Sequence, residues 1–192
     1  MQASNPLQNT LTEQDYLEGE KISKVRHEYV AGQVFAMAGS SVRHNRIAMN
    51  IANFIYNVAD AMEGNCEVFA SDIKVRIKHR QSFYYPDVLL SCDEIDDEDP
   101  YYKDHPCLLV EVLSNSTKDK DRIEKLLAYQ TIRSLQGYMI VAQDHASVIM
   151  VRKNEQGEWF SQTYNDNEAQ ILLPCIDAEL PLAQIYKRVV FD

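Results

Sequence analysis

Two acidic residues stand out by the company they keep. Glu111 is the one charge in Cys107-Leu108-Leu109-Val110-Glu111-Val112-Leu113, the most apolar run of the chain. A carboxylate buried in such a run costs several kcal/mol unless it is paired or coordinates a metal. Asp87 follows Pro86 and leads into Val88-Leu89-Leu90. If the two segments are neighbouring strands, both side chains converge on one face and offer two hard oxygen ligands to Mg²⁺ or Mn²⁺. The backbone carbonyl of Val112 is a candidate third ligand. Mg²⁺ gives up its hydration reluctantly, so two or three protein oxygens with water or phosphate completing the shell is its usual pattern. That arrangement suits metal-assisted phosphodiester hydrolysis.

The residues also admit purely structural readings. Glu111 could be half of a buried ion pair with Lys125 or Lys74. Asp87 after a proline is commonly a turn or bulge residue. Lys125 beside Glu124 could sit on a solvated helix face, and Asp121 with Lys125 forms an ordinary i,i+4 pair. Tyr129 is at helical spacing for packing, with its hydroxyl near the site. His27, His79, His105 and His145 show no metal-ligand spacing.

The elements that must position these groups follow from pattern. Thr12 caps a short acidic helix over about 13–19 that stops at Gly19. His27 to Met37 reads as a hairpin hinged at Ala31-Gly32. Ser40-Ser41 caps a long amphipathic helix carrying Ile47, Ile51, Phe54, Ile55 and Val58 up to Gly64. Val68 to Ile77 alternates as one strand kinked near Ser71-Asp72, and Tyr84 to Ser91 as another, with Pro86 at an edge or bulge. Cys107–Leu113 is short and apolar throughout, which fits a central strand covered on both faces. Ser114 to Thr117 supplies turn and capping residues before a helix from about Lys118, with Ile123, Leu126, Leu127 and Gln130 on its packed side. A strand over Gly137 to Ala142, a hairpin over Ser147 to Tyr164, a short strand at Ile171 to Leu173 and a helical turn at Leu182 to Tyr186 complete the chain.

At 192 residues, 45% hydrophobic and 25% charged, the composition is that of one globular domain over 1–192 with no linker or repeat, its first 11 residues expected to be flexible. No apolar run is long enough to span a membrane, and the first residues lack a secretory pattern, so the expectation is a cytoplasmic protein. Cys66, Cys92, Cys107 and Cys175 are widely spaced without a C-x-x-C pair. They read as free thiols, three of them in apolar strands. The formal charge of −10 argues against a general nucleic-acid binder. Much of that excess falls in Asp93 to Asp99, which reads as a solvated loop.

Pro86-Asp87 followed by Glu111-Val112-Leu113 resembles the PD-(D/E)XK superfamily of metal-dependent nucleases. The string Glu111 to Thr117 with Asp121, Lys125 and Tyr129, preceded by Glu28-Tyr29-Val30-Ala31-Gly32 and His44, resembles the Uma-two family of restriction-endonuclease-like proteins over nearly the whole chain. One departure from the superfamily pattern is Leu113, where a lysine is usual two residues after the glutamate. In the Uma-two family that lysine sits on the following helix, and Lys125 occupies its place.

The resemblance implies an α/β (α+β) restriction-endonuclease-like core: a central mixed sheet flanked by helices, with N-terminal and C-terminal hairpin additions. It further implies a Mg²⁺- or Mn²⁺-dependent endodeoxyribonuclease that acts on DNA as a homodimer, with Asp87, Glu111 and Lys125 catalytic. Lys125 would orient the attacking water and stabilise phosphoryl charge, with Glu28, His44, Asp121 and Tyr129 in support. The competing expectation is a domain that keeps the nuclease fold as a non-catalytic nucleic-acid or protein interaction module, which the acidic charge favours. Hydrolysis of a small phosphodiester is a third reading.

Overall fold

The computed structural model describes residues 10–62, 64–93, 99–113 and 119–191, with the side chains of residues 119–122 outside that description. The Ser114–Thr117 cap and most of the acidic stretch, residues 94–98, also lie outside the described residues.

Helix α1 (Glu13–Ile22) begins at a capping box, in which the Thr12 hydroxyl accepts from Asp15 N and Asp15 returns the bond to Thr12 N. It runs past Gly19, because a single glycine costs a helix only about 1 kcal/mol, and it ends at Ser23. The hairpin β1 (His27–Val30) and β2 (Gln33–Ala36) turns at Ala31-Gly32, both at positive φ, as a two-residue turn requires. Helix α2 (Val42–Asp60) is capped by the Ser41 hydroxyl and buries Ile47, Ile51 and Ile55 along one stripe.

Two expected strands are each broken in two. β3 (Glu67–Ala70) and β4 (Lys74–Ile77) lie in different sheets, as do β5 (Ser82–Tyr84) and β6 (Val88–Ser91). The first break is at Ser71, whose φ of 59° is left-handed and ends strand geometry. The second is at Tyr85-Pro86-Asp87, where proline removes a ladder donor. Chain segments that read as single kinked strands therefore cross from one sheet to the other.

With β7 (Tyr102–Lys103), β8 (Pro106–Leu113), β9 (Gly137–Ala142), β10 (Val148–Lys153) and β11 (Trp159–Tyr164), the strands form two mixed sheets, ordered β2-β1-β5-β4-β7 and β11-β10-β9-β8-β6-β3. β12 (Gln170–Leu173) and β13 (Ala178–Pro181) pair separately, and α4 (Leu182–Ile185) follows. Strands β8 and β9 are parallel, so α3 (Asp119–Tyr129) is the crossover between them. One face of the six-stranded sheet packs under α2, α4 and the β12–β13 hairpin through Leu108, Val110 and Val112. The other face packs under α3 and strands β4 and β5 through Leu89, Leu109, Ala128, Tyr129 and Tyr138. β8 is covered on both sides, as its composition predicts.

Two further sequence expectations are corrected. Ile123 and Leu127 are about half exposed, while Ala128 and Tyr129 are fully buried, so α3 is turned from the packed side expected. The cysteines pair as Cys66–Cys92 and Cys107–Cys175 in place of four free thiols, and only Cys107 lies within a strand. Cys66 and Cys92 flank the antiparallel pair β3–β6, whose register places Glu67 opposite Ser91 and so brings the two thiols together. The long sequence separation hides that pairing.

Candidate active site

The β6–β8 register ends at Val88 against Val110, and one step further Asp87, just before β6, falls across from Glu111. Directly opposed residues of an antiparallel pair share a face. Asp87 Oδ2 accepts from Val112 N at 2.7 Å and lies 3.3 Å from His44 Nε2. Its backbone carbonyl accepts from Ser71 N at 3.1 Å, which ties the two strand breaks together.

Glu111 Oε1 accepts from the Tyr129 hydroxyl at 2.8 Å and from Lys125 Nζ at 3.2 Å. Lys125 Nζ also pairs with Glu28 Oε1 at 2.7 Å, and it stands 5.5 Å above the Tyr84 ring. Lys125 is thus shared by a carboxylate from each sheet, Glu28 on β1 and Glu111 on β8. Tyr85 N donates to Glu28 Oε1 at 3.4 Å. Tyr129 is held edge-on between Tyr84 and Tyr138, which fixes where its hydroxyl points.

The cluster gathers Asp87, Glu111, Glu28, Lys125, His44 and Tyr129. Asp121 is in the backbone of α3, and its side chain lies outside the described residues. Sequence reasoning did not mark Tyr84, Tyr85 or the Val112 N–H. The signal for the tyrosines was their position immediately before Pro86-Asp87; the N–H had none.

Burial raises the Glu111 carboxyl well above the usual carboxylate range; Lys125 opposes this, and Asp87 and Glu28 add to it. Burial works against the Lys125 ammonium, but Glu111 and Glu28 more than offset it and raise its pKa. Burial lowers His44, and hydrogen bonding and attraction to Asp87 overcome that, so its pKa stands above its ordinary value. Three carboxylates therefore face one lysine and one titratable imidazole, a local excess of negative charge held in partial burial.

This donor set fits a hard divalent cation. The oxygens are carboxylates and a carbonyl, and their mutual repulsion disfavours the anionic form of Glu111. Among the described residues no three His, Cys, Asp or Glu side chains form a ready-made metal cage. Mg²⁺ does not require one, since it is commonly held by one or two carboxylates and completed by water and phosphate.

The fold and this cluster define a class, the restriction-endonuclease-like proteins. The chain belongs to the Uma2 family, described as "Putative restriction endonuclease", whose profile matches residues 13–183. It is similar to uncharacterized protein slr1290 of Synechocystis sp. (strain ATCC 27184 / PCC 6803 / Kazusa), 33% identical over 181 residues that make up 94% of each chain. Uncharacterized protein sll1609 of the same strain is 29% identical over 163 residues, 84% of this chain and 91% of that one. The fold matches the crystal structure of a "putative nuclease belonging to DUF820" from Anabaena variabilis ATCC 29413. That match has a TM-score of 0.76 at 13% identity and covers 94% of this chain and 99% of the other.

Proposed function

We propose that the protein is a Mg²⁺- or Mn²⁺-dependent endodeoxyribonuclease that hydrolyses DNA phosphodiesters at the Asp87–Glu111–Lys125 cluster. The observation that carries the reading is Lys125 bonded to Glu111, with Asp87 one step beyond the last β6–β8 pair. Asp87, Glu111 and the Val112 carbonyl would hold the ion, which supplies when bound a water of lowered pKa and polarisation of a phosphoryl oxygen.

The chain's own residues do the rest. Glu111 accepts from both Lys125 and Tyr129 at Oε1, which fixes the orientation of its carboxylate. Lys125 holds its ammonium at that oxygen and offsets charge that develops on the phosphoryl group. The Tyr129 hydroxyl fixes the Glu111 rotamer, and the Val112 N–H fixes that of Asp87. Glu28 anchors Lys125 from the opposite sheet. His44 stands 3.3 Å from Asp87 Oδ2, whose negative charge favours the protonated imidazole, and a protonated ring there would attract a phosphate oxygen.

The protein acts in this reading as a homodimer, one active site for each strand, in the cytoplasm. No helix among the described residues is long and apolar enough to cross a membrane.

The test is nicking of supercoiled plasmid by the purified protein with Mg²⁺ or Mn²⁺. Glu111→Ala is expected to abolish nicking, and Lys125→Ala to slow it by about a hundredfold or more. Absence of cleavage with every metal, or full activity in Glu111→Ala, excludes the enzyme. A second reading, a non-catalytic interaction module, is favoured by one observation: Lys125 already bridges Glu111 and Glu28, so the cluster is satisfied without a metal. Plasmid retardation without nicking would select it.

A further inference from the structure

The four cysteines meet at the end of the six-stranded sheet where β3 and β8 begin, away from the phosphodiester cluster. Cys66 is bonded to Cys92 and Cys107 to Cys175, and the sulfurs of Cys92 and Cys107 lie 3.9 Å apart, so all four join in one chain of contacts. A bulge in β8 brings the two pairs together. Leu90 of β6 pairs with Leu108 and the next residue, Ser91, with Pro106, which leaves Cys107 as the extra residue of β8. Regular alternation would send Cys107 and Leu108 to opposite faces. The bulge instead puts both in the core under α2 and the β12–β13 hairpin, against which Cys66 and Cys92 also pack. Exposure differs along the chain of sulfurs: Cys175, in the turn between β12 and β13, is exposed, Cys66 and Cys92 are half-buried, and Cys107 is buried.

We propose that Cys175 is a modification site for low-molecular-weight thiols and the entrance to a thiol–disulfide relay that ends at Cys66. The incoming thiolate attacks the Cys175 sulfur and forms a mixed disulfide with it. The Cys107–Cys175 bond breaks, and its electron pair leaves on Cys107 as a thiolate. Cys107 then attacks the neighbouring Cys92 sulfur: the Cys92–Cys107 bond forms, the Cys66–Cys92 bond breaks, and its electron pair leaves on Cys66, which takes a proton from water. One thiol enters and one emerges, two disulfides remain, and no oxidant or reductant beyond the small thiol takes part.

Burial sets the direction. Of the four cysteines Cys175 alone is exposed, so attack from solvent falls there. A thiolate left at Cys107 is an anion in a core of Leu108, Val110 and Leu173, where an unpaired charge is costly. Exchange with Cys92 moves that charge to Cys66, nearer to solvent. Two structural cross-links have no need for their sulfurs to touch, and the bulge that turns Cys107 toward Cys92 interrupts the β6–β8 ladder. In the cytoplasmic setting of the proposed function, cysteine pairs are typically transient and redox-sensing.

The relay needs neither a divalent cation nor Glu111, so it stands or falls apart from the nuclease reading. The full chain, oxidised with diamide, is exposed to reduced glutathione and then alkylated with N-ethylmaleimide, and its peptides and their disulfide links are mapped by mass spectrometry. The expected early products are glutathione on Cys175, a Cys92–Cys107 link and an alkylated Cys66. In Cys175→Ser, where Cys107 is a permanent thiol, alkylation of Cys66 is expected to be at least about tenfold above that in Cys107→Ser, which has no attacking sulfur beside Cys92. The wild-type map needs no variant to fold. Alkylation of Cys107 with the Cys66–Cys92 link intact overturns the relay, and glutathione arriving first on another cysteine overturns Cys175 as its entrance. Failure of diamide to form the two starting links overturns both.

Discussion

Lys125 balances two carboxylates that arrive from different sheets, Glu28 at 2.7 Å and Glu111 at 3.2 Å, with all three side chains less than one-fifth exposed. Removing one partner of such a group leaves the others buried without compensation. Lys125→Met should therefore destabilise the fold by about 3 kcal/mol in urea unfolding, and a cost below about 1 kcal/mol would show the cluster to be well hydrated. Tyr129→Phe deletes one bond to Glu111 and leaves Lys125 in place, so its cost should be about 1 kcal/mol. The candidate residues were legible because charge is rare in apolar strands: Glu111 is conspicuous in its run. His44 was less so, although His44, Ile47, Ala48 and Ile51 share the buried stripe of α2, a spacing that aims the ring inward. Glu28 as partner of Lys125 could not be read from the sequence, since the contact joins strand β1 to helix α3 across nearly a hundred positions.

At the scale of elements, the fold depends on what breaks each strand. Arg76 on β4 holds Asp104 through paired bonds of 2.7 and 2.5 Å, with Lys78 at 2.9 Å, and this pins β4 to the turn that leads from β7 into β8. Burial raises the Asp104 carboxyl, and Arg76 and Lys78 overcome that, so its folded pKa is depressed below 3.8. A depressed carboxylate contributes stability that is present above the unfolded pKa and lost as pH falls through the folded one. Asp104→Asn should cost about 2 kcal/mol at pH 7, and the gap to wild type should close as unfolding is measured toward acid. A gap independent of pH would contradict that assignment. The strand breaks show where sequence pattern stops informing. Alternation across Val68 to Ile77 marks extended chain correctly, but it carries no information about which sheet each half joins. Ser71 at positive φ, a conformation that glycine or asparagine ordinarily advertises, decides it silently. The hairpin at Ala31-Gly32 was readable because Gly32, at φ 90°, advertises its turn.

For the whole molecule, two cysteine pairs close loops with separations of 26 and 68 residues, the second tying β8 to the turn between β12 and β13. Cross-links of that span stabilise by about 2–4 kcal/mol each. Thermal unfolding under dithiothreitol should therefore occur at lower temperature than under air, and unchanged unfolding would mean that the thiols stay free in solution. The charge of −10 makes attraction to DNA weak at long range, so under the proposed function an ion held at the cluster would supply the phosphate contact. That places the central claim on the carboxylates of Asp87 and Glu111 and on an ion held between them. Calorimetric titration of the metal-free protein with Mn²⁺ tests it most directly. The account predicts one saturable site per chain that disappears in both Asp87→Asn and Glu111→Gln; no saturable binding, or binding that survives both substitutions, would contradict it.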